Sequence, residues 1–331
     1  MRLLVLGGTR FVGRAVVAAA LGRGDDVTAL HRGRTGALPP GARALHADRT
    51  DPAALAHALA GAGGFDAVVD TWAGAPAVAA SAAALLAGRA QRYGYVSSIS
   101  VYADGHVDES SPVVAGDPDA VDGAYATLKR GAELAVLRAF PGALLARAGL
   151  VLGPHEDVGR LPWWLTRIAR GGRVVAPGRP GRPLQFVDAR DLADWLLAGL
   201  EAGRSGGVDV ASRSGHATTE SLLTACRAAT GSDAELVWVD EAELAAAGAQ
   251  PWTQLPCWVP ETGDSAGFLE ADTALAARTG LRCRPVAATV ADTWAWLQRD
   301  GTPARRPDRP VPGLPADVEE ALLAAGPRPG V

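Results

Sequence analysis

Lysine is almost missing from this 331-residue chain: of its 32 basic residues, Lys129 is the only one that is not arginine. Cysteine is scarce too. Cys226, Cys257 and Cys283 are odd in number and lie 31 and 26 positions apart, which gives neither a disulfide framework nor a CxxC metal pattern. A reducing cytoplasm fits such usage. No apolar run approaches the ~18 residues of a membrane span. The opening run, Met1 to Leu6, stops at Gly7-Gly8 and Arg10 without a cleavage site, so it reads as a buried strand and not a secretion signal. A net charge of −4 provides no broad basic face for nucleic acid. His31, His46, His57, His106, His155 and His216 make no metal spacing. No serine sits in a GxSxG elbow, which argues against a Ser-His-Asp hydrolase, and no fixed-period repeat is present.

What remains is an ordinary globular composition, 48% apolar and 21% charged, of a length that suggests about two domains. The first half alternates short apolar runs (3–6, 26–30, 42–47, 67–70, 93–97, 143–146) with helical stretches (12–23, 52–60, 78–88, 125–140). Strands without clean alternation suit a sheet covered on both faces, so the expected class is α/β, a doubly wound parallel sheet with a smaller α/β substrate domain. The expected boundaries are 1–154 for the nucleotide-binding domain, with 184–205 returning to it. Residues 155–183 and 206–300 form the substrate domain, and 301–331 a Pro/Arg-rich surface tail. Nine of the 18 aromatic residues are tryptophan, and most follow residue 150. Their plain role is packing. The sharper one is an apolar pocket wall from Trp252 and Trp258, with Trp163 nearby.

Gly7-Gly8-Thr9-Arg10-Phe11-Val12-Gly13 follows the first strand and opens a helix. Small residues there let the backbone approach a pyrophosphate seated on the helix N-terminus. Gly7, Thr9, Arg10, Phe11, Val12 and Gly13 are therefore candidate cofactor contacts. An acid at the end of the second strand usually holds the ribose 2′-hydroxyl of NAD, but here the strand ends His31-Arg32-Gly33-Arg34. Arginine suits a 2′-phosphate, so Arg32, helped by Arg10, favours NADP(H), with NAD(H) the alternative. Asp51 precedes Pro52 and reads as a helix N-cap, which leaves Asp48 to accept from the adenine amino group.

Tyr125 and Lys129 are four residues apart, on one face of a helix. A neighbouring cation stabilises a phenolate, and a phenol so placed can pass a proton while a hydride moves at the adjacent carbon. Arginine's rigid fork would not replace a compact ammonium there, and the chain's single lysine stands at this position. Upstream, Ser97-Ser98-Ile99-Ser100 closes a strand at the carboxyl edge, where open α/β sheets bind ligands.

Taken together, the Gly7–Gly13 loop, Val96-Ser97-Ser98-Ile99-Ser100-Val101-Tyr102 and the Tyr125/Lys129 pair resemble the extended short-chain dehydrogenase/reductases, the NAD(P)-dependent epimerase/dehydratase group. The resemblance runs over about residues 1–300. It implies a Rossmann domain, a triad of Ser98, Tyr125 and Lys129, a hold by Lys129 on the nicotinamide ribose, and a homodimer through the helices at 78–88 and 125–140. Departures bear on the substrate. Arg10 replaces the middle loop glycine, Leu150 stands where nucleotide-sugar members carry asparagine, and Leu184 where they carry arginine. A diphosphate against leucine is poorly paired, unless Arg182 or Arg160 compensates.

Three readings follow. The first is an NADP(H)-dependent oxidoreductase acting on a small carbonyl or alcohol, with Ser98 or Ser100 holding the oxygen. The second is an NAD-dependent sugar-nucleotide epimerase or dehydratase. The third is a non-catalytic dinucleotide- or RNA-binding protein, since the Gly-Gly-Thr-Arg-Phe loop is similar to that of a chloroplast RNA-binding branch of the superfamily. The acidic balance and the complete triad speak against the third.

Overall fold

The computed structural model describes residues 1–103, 105–263, 267–302 and 309–325. In chain order the elements are β1 (Arg2–Leu6), α1 (Phe11–Gly22), β2 (Asp26–His31), β3 (Arg43–His46), α2 (Pro52–Ala60), β4 (Phe65–Asp70), α3 (Pro76–Leu86), β5 (Ala90–Ser98), α4 (Tyr125–Ala139), β6 (Leu144–Ala148), β7 (Leu150–Leu152) and α5 (Arg160–Ala169). They continue with β8 (Arg173–Pro177), β9 (Phe186–Asp188), α6 (Ala189–Glu201), β10 (Gly206–Val210), α7 (Thr219–Thr230), β11 (Glu235–Val239), α8 (Glu241–Ala246), α9 (Ala274–Arg278), α10 (Val286–Asp300) and α11 (Ala316–Ala325).

Seven parallel strands in the order β10-β6-β5-β4-β1-β2-β3 form the central sheet. The apolar runs explain it. Leu3, Leu4, Val5, Val68 and Val69 are fully buried on both faces, as a helix-covered parallel sheet requires. The helices start where the local chemistry dictates. The Asp51 carboxylate accepts from the amides of Ala53 and Ala54, with Pro52 in the first turn of α2. Thr218 and Ser221 form a capping box on α7, which ends at Gly231 in the left-handed conformation.

The chain divides into two units. The first holds residues 1–149, 189–211 and 273–282, and the second 150–188, 212–272 and 283–331. This departs from the expected organisation: residues 150–154 fall in the second unit and 273–282 in the first. Gly206–Val210, placed by sequence in the substrate domain, pairs with β6 as the seventh strand of the central sheet. Of the strand-helix unit expected to return, only the helix joins the first unit, because β9 pairs with β7 inside the second. The expected tail, whose residues 317–324 read as a short amphipathic piece, is a helix there and packs on the second unit and not on the surface alone. α11 buries Leu322 in the second core, Glu319 pairs with Arg167 at 2.9 Å, and the Leu323 carbonyl accepts from Arg173. An apolar stripe on a short helix needs a partner, and β8 provides it. Residues 303–308 and 326–331 of that segment lie outside the described residues.

In the second unit, α5 opens at Gly159 in the left-handed conformation with no side-chain cap. Glu156 substitutes: its fully buried carboxylate accepts from the amides of Arg160 at 2.8 Å and Leu161 at 3.1 Å. Burial pushes this carboxyl up to about 7 against the lowering influence of Arg160 and the two amides. A folded-state value above the ordinary 4.5 means that its contribution is full below pH 4.5 and is lost as the pH rises through about 7. The unfolding free energy of this unit is expected to fall by about 3 kcal/mol over that window, and Glu156→Gln to flatten the dependence. Urea unfolding at the two ends of the window checks this. Equal slopes for parent and variant would refute it.

Candidate active site

The glycine loop is built by close approach. Gly7 has φ of +96° and donates to the Leu30 carbonyl at 2.9 Å, which ties the loop to β2. A Cβ at Gly13 would stand 1.8 Å from the Gly7 carbonyl oxygen, so no side chain fits where α1 passes under the loop. Thr9 and Thr35 share a hydroxyl contact of 2.8 Å. Arg10 takes the N-cap position of α1 with extended backbone, and Phe11 follows at φ of +30°. No acid occupies the first turn of this 12-residue helix. Its first-turn amides and positive end therefore suit phosphate oxygens, and Val12 and Gly13 lie in the same turn.

At the ends of β2 and β3, His31 and His46 meet edge to face at 4.7 Å. Burial first, then the charge of His46, lowers the His31 pKa. Arg32 lies 3.9 Å from the Asp48 carboxylate, and both are well exposed. Asp48 is not free in the way the sequence suggested. Its Oδ1 accepts from the Thr50 hydroxyl at 2.7 Å and the Thr50 amide at 3.1 Å, and these bonds lead in holding its carboxyl below the usual range.

Ser98 ends β5, and its Oγ accepts from the Ser100 amide while the two hydroxyls stand 3.1 Å apart. Its neighbour Ser97 faces the other way, as strand alternation dictates, and donates to buried Glu133 of α4 at 2.7 Å. Tyr125 is the first residue of α4 and is 40% exposed, whereas Lys129 one turn later is 4% exposed. The Lys129 ammonium donates to the carbonyls of Trp72 and Val96, both at 2.8 Å, and to the Tyr95 hydroxyl at 3.3 Å. Ser98, Ser100 and Lys129 thus gather at the carboxyl end of β5, with Tyr125 at the open end of the helix. The structure thus shows a cation fixed on backbone carbonyls one helical turn from an exposed phenol.

The substrate candidates in the second unit are more buried than their composition implied. Trp258 belongs to the core, and its ring nitrogen lies where a Cβ on Gly178 would come within 2.9 Å. Trp252, at φ of +64°, carries Arg160 over its ring at 5.0 Å and meets Phe268 edge to face. Trp163 packs on Trp164. Arg182 is buried and donates from Nη1 to Glu270 at 2.6 Å. Its Nε and Nη2 have no hydrogen-bond partner among the described residues. Leu150 and Leu184 are core residues.

Two groups in the first unit escaped sequence reading. Asp70, at the end of β4, forms a buried pair with Arg49. Asp209, placed by sequence in the substrate domain, receives the Tyr102 hydroxyl at 2.8 Å and stands 2.7 Å from His106 Nε2, with the His106 ring stacked on Tyr102. The signal was there: an acid inside an otherwise apolar run needs a buried partner.

No metal-binding cluster occurs among the described residues, and no helix there is long and apolar enough to cross a membrane. A search of curated proteins gives no match. The fold is similar to that of the Bordetella bronchiseptica enzyme WbmH in complex with NAD+, at 17% identity and TM-score 0.67 over 91% of this chain and 99% of that one. It is also similar to UDP-glucose 4-epimerase from Thermus thermophilus in complex with NAD, at 19% identity and TM-score 0.64 over 91% and 100%. A third is UDP-N-acetylglucosamine 4-epimerase from Methanobrevibacter ruminantium in complex with UDP-N-acetylmuramic acid, at 18% identity and TM-score 0.67 over 90% and 98%. The family model described as NAD dependent epimerase/dehydratase family matches residues 3–211. With that match over well more than half its length, the chain belongs to the NAD-dependent epimerase/dehydratase family.

Proposed function

We propose that the chain exchanges a hydride between a nicotinamide dinucleotide and a carbinol or carbonyl carbon of a small molecule, with Ser98, Tyr125 and Lys129 managing the substrate oxygen. The observation that carries this is the Lys129 ammonium, buried on two backbone carbonyls one turn from exposed Tyr125. Gly7, Thr9, Arg10, Phe11, Val12 and Gly13 would hold the phosphates, and Arg32 and Asp48 the adenosine end. When bound, the nicotinamide supplies the two-electron chemistry. Tyr125 takes or returns the proton at the substrate oxygen, Lys129 stabilises the phenolate, and Ser98 orients the oxygen.

Family membership and the UDP-sugar relatives support an epimerase- or dehydratase-type cycle, in which one NAD is reduced and reoxidised within a turnover. A second reading, NADP(H)-dependent reduction of a small carbonyl compound, draws on Leu150 and Leu184, core residues at positions where a sugar diphosphate meets polar groups, and on Arg32. Either reading takes the protein to act as a cytoplasmic homodimer without nucleic acid.

Fluorescence titration with NADH and NADPH, on the parent and Arg32→Ala, separates the two. For the cycle we expect NAD to persist through purification, Arg32→Ala to change little, and UDP-sugars to interconvert without net NAD(P)H consumption. NADPH binding at least about tenfold tighter (~1.4 kcal/mol), lost in the variant, would hand the case to the reductase.

A further inference from the structure

A set of buried charges lies behind the site without entering its proton chemistry. Asp70 is fully buried, and Arg49 grips both its oxygens at 2.6 and 2.8 Å. The Tyr93 hydroxyl adds a bond of 2.8 Å. Burial opposes the carboxylate, but Arg49 and these hydrogen bonds outweigh it and keep Asp70 below the ordinary range. Buried pairs of this kind are weak evidence for stability, because desolvation offsets most of the attraction. Their value lies in what they hold.

Here they hold Trp72. Asp70 Oδ1 accepts the Trp72 amide at 2.9 Å, and the Arg49 guanidinium lies 4.9 Å over the indole. The indole N–H donates to the Ala75 carbonyl at 2.8 Å, just ahead of α3. Gly74 leaves room for the ring: a Cβ there would stand 2.8 Å from it. With amide, ring and following turn all fixed, the Trp72 carbonyl has one direction. It accepts from the Lys129 ammonium at 2.8 Å and from the Tyr95 hydroxyl at 3.0 Å. The Tyr95 ring in turn lies 4.8 Å from the same ammonium.

We infer that Arg49 and Asp70 are positioning residues for Lys129, acting through the backbone carbonyl of Trp72. The ammonium is aimed from the end of β4 as well as from its own helix. A small displacement of the Trp72 carbonyl would move the cation that Tyr125 depends on. The consequence for turnover rests on the proposed function; the placement itself does not.

Because Lys129 is the only lysine, protein labelled with 15N-lysine gives a single side-chain Nζ resonance that reports this placement directly. Arg49→Met/Asp70→Leu removes the pair without leaving a lone buried charge, and should shift the resonance and speed its proton exchange with water. Arg49→Met/Asp70→Asn keeps an acceptor for the Trp72 amide but not the cation over the indole, and should restore part of the parent signal. Gly74→Ala displaces the indole while leaving the ion pair intact, and should shift the resonance too. In the leucine variant kcat should fall about tenfold or more with little change in KM, the mark of lost alignment. A folded leucine variant with the parent resonance would overturn the inference. If that variant does not fold, Gly74→Ala decides, and an unmoved resonance there is equally fatal. Full activity in Tyr125→Phe would instead sink the proposed function and leave the Nζ result standing.

Discussion

Phenylalanine in place of Tyr125 is expected to lower turnover by roughly 10²–10⁴-fold, the usual worth of a positioned proton donor or acceptor. Stability and dinucleotide affinity should remain near those of the parent. The side chain is two-fifths exposed at the first position of α4, so removal of one hydroxyl opens no cavity. Lys129→Arg should be as damaging for a different reason. The pocket is closed by the Trp72 and Val96 carbonyls and the Tyr95 hydroxyl around a single nitrogen, and a planar five-donor fork does not fit that set. Initial rates, with thermal unfolding followed in parallel, separate lost chemistry from lost fold. Retention of more than about a tenth of the parent rate by Tyr125→Phe would remove the residue from the proton path.

Glu133 is the place where one substitution should unfold the most. Its buried carboxylate receives two bonds from Arg147, at 2.9 and 3.1 Å, one from Ser97 at 2.7 Å and one from Arg130 at 2.9 Å. Arg147 also donates to the Tyr102 hydroxyl at 2.9 Å. Glu133→Leu leaves the Arg147 guanidinium charged, buried and without its carboxylate, at a cost of about 3–5 kcal/mol. Glu133→Leu/Arg147→Leu should recover much of that, because the lone charge goes with its partner. Denaturant unfolding of the two variants tests the point. A single variant within about 1 kcal/mol of the parent would show that water or another group reaches Arg147.

These networks mark how far the sequence could be read. The glycine loop, the Asp51 cap and the Tyr125/Lys129 spacing are local signals, and each is legible because its partners lie within a turn or two. Strands β1, β2 and β4 announce themselves as apolar runs. β10 does not: it begins Gly206-Gly207 and carries Asp209, so it reads as a polar loop until Tyr102 and His106 arrive from over 100 positions earlier to satisfy that acid. β7 and β9, three residues each, are too short to show any pattern. Ser97 and Ser98 look alike in sequence, yet strand alternation gives one a structural partner in α4 and leaves the other beside Ser100. The same holds for Arg49, whose partner Asp70 lies a whole helix further on.

The order in which the strands occur also shapes how the protein must be made. The central sheet takes its seventh strand and α6 from residues 189–211, after β7, α5, β8 and β9 of the second unit have been laid down. A ribosome therefore releases β6 with one backbone edge unpaired. Gly94 of β5, where Leu196 and Leu200 of α6 later pack so closely that a Cβ would come within 3.1 Å of each, is still uncovered. Open edges and bare apolar faces invite association with other chains. Translation stalled before residue 211 leaves a nascent polypeptide in that state, so the interval in which chaperones matter most for this protein is encoded in the interleaving of its two units.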